Sequence, residues 1–204
     1  MRFLFQYPEV VLRLFGQHLA VTLTALLIAS AIALPLGWAL YRWPRWRSPV
    51  LGFLGVLYTI PSLALMILLL PLFGLNARSV VVALILYCQV ILVRNVLTGL
   101  REVDPAALEA ARGMGMNPAQ VVWRVQLPLA LPAILAGVRL AAIITVAIAT
   151  IGARFGSGGL GVLLFDGVAQ NRPDKIFLGA LLVSALALIF QVGLLRLERR
   201  LRPQ

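Results

Sequence analysis

The chain holds one cysteine, one histidine and one lysine in 204 residues. A lone Cys88 admits no intramolecular disulfide and no cysteine-based metal site. With His18 the only imidazole, Ser-His and Cys-His catalytic arrangements are excluded except around that residue. Lys175, the sole lysine, lies in no Gly-x-x-x-x-Gly-Lys-Ser/Thr loop, so the chain does not bind ATP in that way. Charge is scarce at 12%, and only seven residues are acidic. A soluble domain is about one quarter charged and about half apolar. Here 61% of residues are hydrophobic and the mean hydropathy is +0.97. That excludes disorder, a small disulfide scaffold and an ordinary soluble enzyme, and places most of the chain in a bilayer.

The net charge is nevertheless +11. In a soluble protein this balance points to nucleic acid. Here the basic residues, seventeen of them arginine, flank apolar segments instead of sharing one polar face. That is how membrane spans are bounded, and it argues for no nucleic-acid partner. A span takes about 20 mainly apolar residues. Segments 19–41, 50–73, 79–97, 129–151 and 176–195 qualify, which predicts an all-α polytopic membrane protein of about five helices in one domain, 1–204. Ala29, Ser30 and Ala31 resemble a leader cleavage site, but the apolar run continues to Leu40 and meets Arg42, Arg45 and Arg47. That pattern reads as a span with a cationic stop.

Arginine asymmetry sets the expected orientation. The 42–47 loop, the segment 98–128 and the tail with Arg196, Arg199, Arg200 and Arg202 lie in the cytoplasm, and the N-terminus lies outside. Arg94 and Arg139, near inner span ends, either snorkel or pair with a carboxylate. His18 is expected at the outer interface. No acidic residue falls inside the five segments, which argues against an ion-coupled carrier. No intramembrane catalytic cluster can be assembled, so the chain is not read as an enzyme.

The richest stretch, 104–128, is not a span. Asp104 followed by Pro105 is a helix cap with proline at the first helical position. A helix over 105–112 is stopped by Gly113 and Gly115, and Asn117-Pro118 starts a second over 118–126, presenting Val121, Val122, Trp123 and Val125. Pattern alone leaves two readings: a helix pair that docks in a soluble partner, or an amphipathic helix on the lipid headgroups.

The spacing in this stretch resembles the cytoplasmic loop of ABC importer permeases: Glu-Ala-Ala, three residues, Gly, nine residues, then Ile-x-Leu-Pro. This chain has Glu109-Ala110-Ala111, Gly115 and Val125-Gln126-Leu127-Pro128, with Val125 in place of Ile. The resemblance extends further. Thr59-Ile60-Pro61-Ser62-Leu63-Ala64, Arg94-Asn95, Thr98-Gly99, Val103-Asp104-Pro105-Ala106, Ala149-Thr150 and Gly158-Gly159-Leu160-Gly161 look like the glycine betaine, carnitine and choline permease subgroup. Arg154 departs from it, standing where such relatives carry a small or apolar residue.

The resemblance implies a type I importer permease fold in a bacterial cytoplasmic membrane. It implies a coupling role for Glu109, Ala110, Ala111, Gly115, Val125, Leu127 and Pro128. Glu109 would meet a basic residue of an ATP-binding subunit, and Ala110 and Ala111 would let the two surfaces approach. Expected partners are two ATP-binding subunits, a second permease chain, identical or homologous, and an extracytoplasmic substrate-binding protein. ATP and Mg are expected on the ATP-binding subunit, with no cofactor or metal on this chain. Methionine and other amino-acid importers are the alternative within the class.

Other residues leave alternatives open. Tyr58, Pro61 and Ser62 are candidates for a gate at a kink in the second span. Gln89, Asn95 and Thr145 either face a path or bond between helices. Asp166, Arg172, Asp174 and Lys175 lie in an outer segment expected to be a solvated loop, where they would orient a binding protein. The stretch from Gly156 to Gly161 satisfies Gly-x-Gly-x-x-Gly, but it follows a span instead of a strand and reads as a flexible turn.

Overall fold

The computed structural model describes residues 2–201, and every regular element among them is a helix. Arg202, assigned above to the cytoplasmic tail, lies outside the described residues. After a short α1 (Arg2–Gln6), α2 (Pro8–Arg42) runs for 35 residues. Pro8 starts it without an N–H to leave unsatisfied. At 1.5 Å per residue α2 is roughly 52 Å long. It therefore outreaches a hydrocarbon layer of about 30 Å and begins well before the expected segment 19–41. Val11, Leu14, His18, Ala25, Ala29 and Ala33 form one buried stripe, while Leu27, Ile28 and Ile32 are exposed on the rest of the helix.

The expected span 50–73, kinked near Pro61, is divided into two helices. α3 (Arg47–Thr59) and α4 (Ser62–Phe73) meet at 96°. Proline disfavours helical geometry in the residue before it. Ile60 is accordingly extended (φ −65°, ψ 124°), and Pro61 is non-helical as well. The Ile60 carbonyl, which lacks a helical partner, accepts the Tyr87 hydroxyl of α5 (Ala77–Arg101). Where α2 ends, Arg47 Nε and Nη2 donate to the carbonyls of Leu40 and Tyr41 at 2.8 and 2.9 Å, capping the helix.

The core lies where α5 packs against α2 and α8 (Leu127–Gly152). Small residues let these backbones approach. A Cβ at Gly37 would lie 2.5 Å from Val96, and one at Gly137 would lie 2.4 Å from the Asn95 Cβ. At the arginine-rich end, α6 (Pro105–Gly113) and α7 (Pro118–Val121) join α5 to α8. At the opposite end, the segment expected to be a solvated loop holds α9 (Gly161–Ala169), packed on α8 and on α10 (Pro173–Arg200). Among the described residues, four helices are long and apolar enough to cross a membrane, five if the bent pair is one span.

The close approach at Gly137 yields a direct test. Gly137→Leu is expected to destabilise the protein by about 1–3 kcal/mol, because packed backbones must separate. The readout is a lower thermal-unfolding midpoint in detergent. Gly52→Ala, at a position with nothing within 4 Å, is expected not to lower it.

Candidate coupling loop and polar groups of the bundle

The loop between α5 and α8 is built from local hydrogen bonds. Asp104 Oδ1 accepts the Ala106 N–H at 2.9 Å, which starts α6. At its other end the Met116 N–H reaches the Ala111 carbonyl at 3.2 Å, and the Gly115 N–H reaches the Arg112 carbonyl at 2.9 Å. These two bonds form a Schellman closure, which needs a left-handed residue. Gly115 supplies it with φ +82°. Asn117 and Gln120 then bond reciprocally, each at 2.9 Å, in a capping box that starts α7.

Beyond α7 the chain stays helical, and Pro128 stands at the entry to α8. A π-helical stretch, Val122–Gln126, carries it directly into α8, so Pro118–Phe155 is one 38-residue helical rod. Proline clashes with the carbonyl four residues before it, and a π-bulge relieves such crowding. Gln126 is buried and donates to the Leu100 carbonyl at 3.4 Å, tying the rod to the end of α5.

Glu109 and Ala110 are exposed, but Ala111 is only 1% exposed. The expectation that both alanines face a partner is corrected: Ala111 is small because it packs inside its own chain, and Ala110 alone of the two lies on the surface. Val125 and Leu127 are half-buried and Pro128 is exposed. Val121 is buried, whereas Trp123 and Met114 are each 70% exposed. Met114, between Gly113 and Gly115, escaped the sequence reading because the glycines around it read only as a helix stop.

The candidate path residues fall into two groups. Tyr58 is exposed beside the break in the second span, with its ring 5.3 Å from that of Tyr87. Pro61 and Ser62 share that break. Tyr87 itself was not foreseen. Gln89 is buried and its amide donates to the carbonyls of Ala29 and Ile85 at 3.2 and 3.3 Å. Asn95 donates to Ile91 at 2.9 Å, and Thr145 donates to Ala141 at 2.7 Å and meets Cys88 Sγ at 3.1 Å. These three are engaged within and between helices.

At the opposite end Arg172 and Asp174 pair at 2.8 Å. Lys175 is 8% exposed, donates to Gln170 at 2.7 Å and lies 4.6 Å from the Phe3 ring centroid. It is therefore corrected from a docking charge to an internal one. Asp166 is half-buried on α9. Arg154 is exposed and lies over Phe165 at 5.4 Å.

His18 is corrected from an interfacial residue to a buried one, 1% exposed. Its Nδ1 accepts the Leu160 N–H at 3.2 Å, and its Nε2 faces the Val146 carbonyl at 3.1 Å. Those partners fix the neutral tautomer with hydrogen on Nε2. Gln17 Oε1 accepts the neighbouring Gly159 N–H at 3.1 Å. The glycine-rich stretch is thus a backbone clamp on α2, not a free turn. Arg139 pairs with Glu198 at 3.4 Å and donates to Gln191 at 3.3 Å, so it is paired and does not snorkel.

Residues 18–203 match the family described as binding-protein-dependent transport system inner membrane component. The carnitine transport permease OpuCB of Listeria monocytogenes is 39% identical over 188 residues, 92% of this chain and 86% of that protein. The osmoprotectant import permease OsmW of Salmonella typhimurium is 37% identical, over 92% of this chain and 90% of that one. In fold, the chain resembles one from the inward-facing MetNI methionine ABC transporter with a TM-score of 0.86. The two are 23% identical, and the likeness covers 96% of this chain and 98% of that one.

The His18 clamp is open to test. His18→Phe leaves the Leu160 N–H without its acceptor, a loss of about 1–3 kcal/mol. A lower unfolding midpoint in detergent is the expected result, and His18→Gln, which keeps an acceptor, is expected to fall between the two.

Proposed function

The chain belongs to the family of binding-protein-dependent transport system inner membrane components, and we propose that it carries a quaternary-ammonium osmoprotectant (glycine betaine, carnitine or choline) into the cell. It is a permease component of an ABC importer, and ATP-binding and substrate-binding proteins are the partners that family implies. The observation that carries the substrate reading is similarity along nearly the whole chain to permeases named for carnitine, choline and osmoprotectants. The likeness to the methionine transporter, at 23% identity, speaks to the fold alone.

In this reading residues 1–204 act as one permease domain in a bacterial cytoplasmic membrane, with the N-terminus outside and the C-terminus inside. A second permease chain, identical or homologous, completes the path. Two ATP-binding subunits hold ATP and Mg and perform the hydrolysis. Glu109 presents its exposed carboxylate to a basic residue of such a subunit. Gly115, Val125, Leu127 and Pro128 keep the loop rigid and joined to α8. Glu109 sits on α6, which the Gly115 turn and the Asn117 capping box join to the continuous helix Pro118–Phe155, so a displacement there would pass to α8 through this short, hydrogen-bonded turn. Tyr58, Pro61 and Ser62 form a gate at the broken span. Gln89, Asn95 and Thr145 hold the helices that line the path. Arg172, Asp174 and Asp166 meet the substrate-binding protein.

Reconstitution with the co-purified ATP-binding and substrate-binding proteins tests the substrate. Glycine betaine, carnitine or choline is expected to stimulate ATP hydrolysis and to accumulate in proteoliposomes. Stimulation by methionine with none of these would overturn the assignment. In the same system Glu109→Lys is expected to lower substrate-stimulated hydrolysis by about tenfold or more, because one member of a contact ion pair is reversed. Undiminished stimulation would reject its coupling role.

A further inference from the structure

We infer that the cleft between the end of α2 and the α6–α7 loop is a binding site for the phosphate of an anionic phospholipid. The cleft measures about 460 Å³ and is lined by Arg42, Arg112, Trp38, Tyr41, Leu108 and Met116, among others. Arg42 is the last residue of α2 and Arg112 lies in the last turn of α6, so two helices bring guanidinium groups to one cavity. Among the described residues neither forms an ion pair with a carboxylate.

Neither arginine is engaged in capping its own helix. The α2 carbonyls of Leu40 and Tyr41 are held by Arg47. The α6 carbonyls of Ala111 and Arg112 are held by the backbone N–H groups of Met116 and Gly115. Two free guanidiniums in one cleft form a donor set for a phosphodiester, which such groups bind bidentately.

The rest of the lining decides between a lipid and a free ion. The Trp38 and Tyr41 rings stack at 5.8 Å near the end of α2, where spans carry interfacial aromatics. Trp38 follows the exposed Leu34 by one helical turn, so the cleft wall continues onto an exposed apolar surface of α2. Leu108 and Met116 add apolar wall. Basic pockets between membrane helices, with an apolar approach, suit phospholipid headgroups.

The test uses the assembled transporter, washed in detergent and assayed for retained phosphatidylglycerol by mass spectrometry. The wild type is expected to retain phosphatidylglycerol over phosphatidylcholine. The double variant Arg42→Gln/Arg112→Gln is expected to weaken retention by roughly thirtyfold, the loss for two cations at an anionic surface. Arg45→Gln, outside the cleft, is expected to leave it unchanged. The proposal falls if Arg45→Gln loses as much lipid as the double variant, or if the wild type has no preference. It also falls if millimolar inorganic phosphate displaces the lipid, or if the isolated permease keeps lipid that assembly with the ATP-binding subunit expels.

Discussion

A backbone N–H or carbonyl in hydrocarbon has no water to bond, so it must find a partner within the protein. The irregular features of this chain follow from that requirement. Where Pro61 interrupts the second span, the Ile60 carbonyl is met by the Tyr87 hydroxyl. Where α2 stops, Arg47 covers its last carbonyls. Where the chain turns through glycines after α8, Gln17 and His18 accept the N–H groups of Gly159 and Leu160. Each break in the helices has a side chain from a distant part of the chain, or a tight local cap, beside it. The few polar residues in this apolar sequence are thereby accounted for mainly by structure, and the breaks become fixed points of the fold.

Those fixed points also relate the two ends of the molecule. The rod Pro118–Phe155 begins in the α6–α7 loop and ends beside the glycine clamp. Near its far end the Val146 carbonyl faces both His18 Nε2 and the Thr150 hydroxyl, each at 3.1 Å. A Cβ at Gly161 would lie 2.0 Å from the Thr150 carbonyl, so α9 rests directly on the rod's backbone. The loop end and the opposite face are therefore joined by continuous, packed backbone. A close-packed interior transmits strain and has low compressibility, so the two ends are mechanically linked.

The loop was legible in the sequence because its signals are local. Asp104-Pro105, Gly115 and Asn117-Pro118 each act within four residues, and the structure shows their caps and their left-handed turn. The spans were legible through bulk hydropathy, with ends misplaced where α2 and α10 continue past the apolar run. What stayed hidden depends on distant contacts. His18 looked like an interfacial residue because its partners lie 128 and 142 positions away. Lys175 looked solvated because Phe3 and Gln170, which receive it, are not its periodic neighbours. Ala111 carries the same letter as Ala110, and only helix phase turns one inward. Pro61 announced a kink, but neither its 96° size nor the Tyr87 hydroxyl that meets the Ile60 carbonyl was visible in the local pattern.

The arginines do not all contribute to the field of the folded surface. Counted by sequence they are a surplus at one end, yet the field at the folded surface is set by those that remain unengaged. Arg139 is neutralised by Glu198, which α10 brings to it by running beyond the expected segment 176–195. Arg172 is matched by Asp174, and Arg47 sits on the negative end of the α2 dipole. Arg42, Arg112, Arg124, Arg199 and Arg200 remain exposed around the α6–α7 loop end. Over a Debye length of about 8 Å this end attracts anionic surfaces, a headgroup layer above all. Glu109 is a carboxylate set within that positive field. A cationic group would therefore be recognised at Glu109 only through close contact, because the surrounding arginines oppose its long-range attraction.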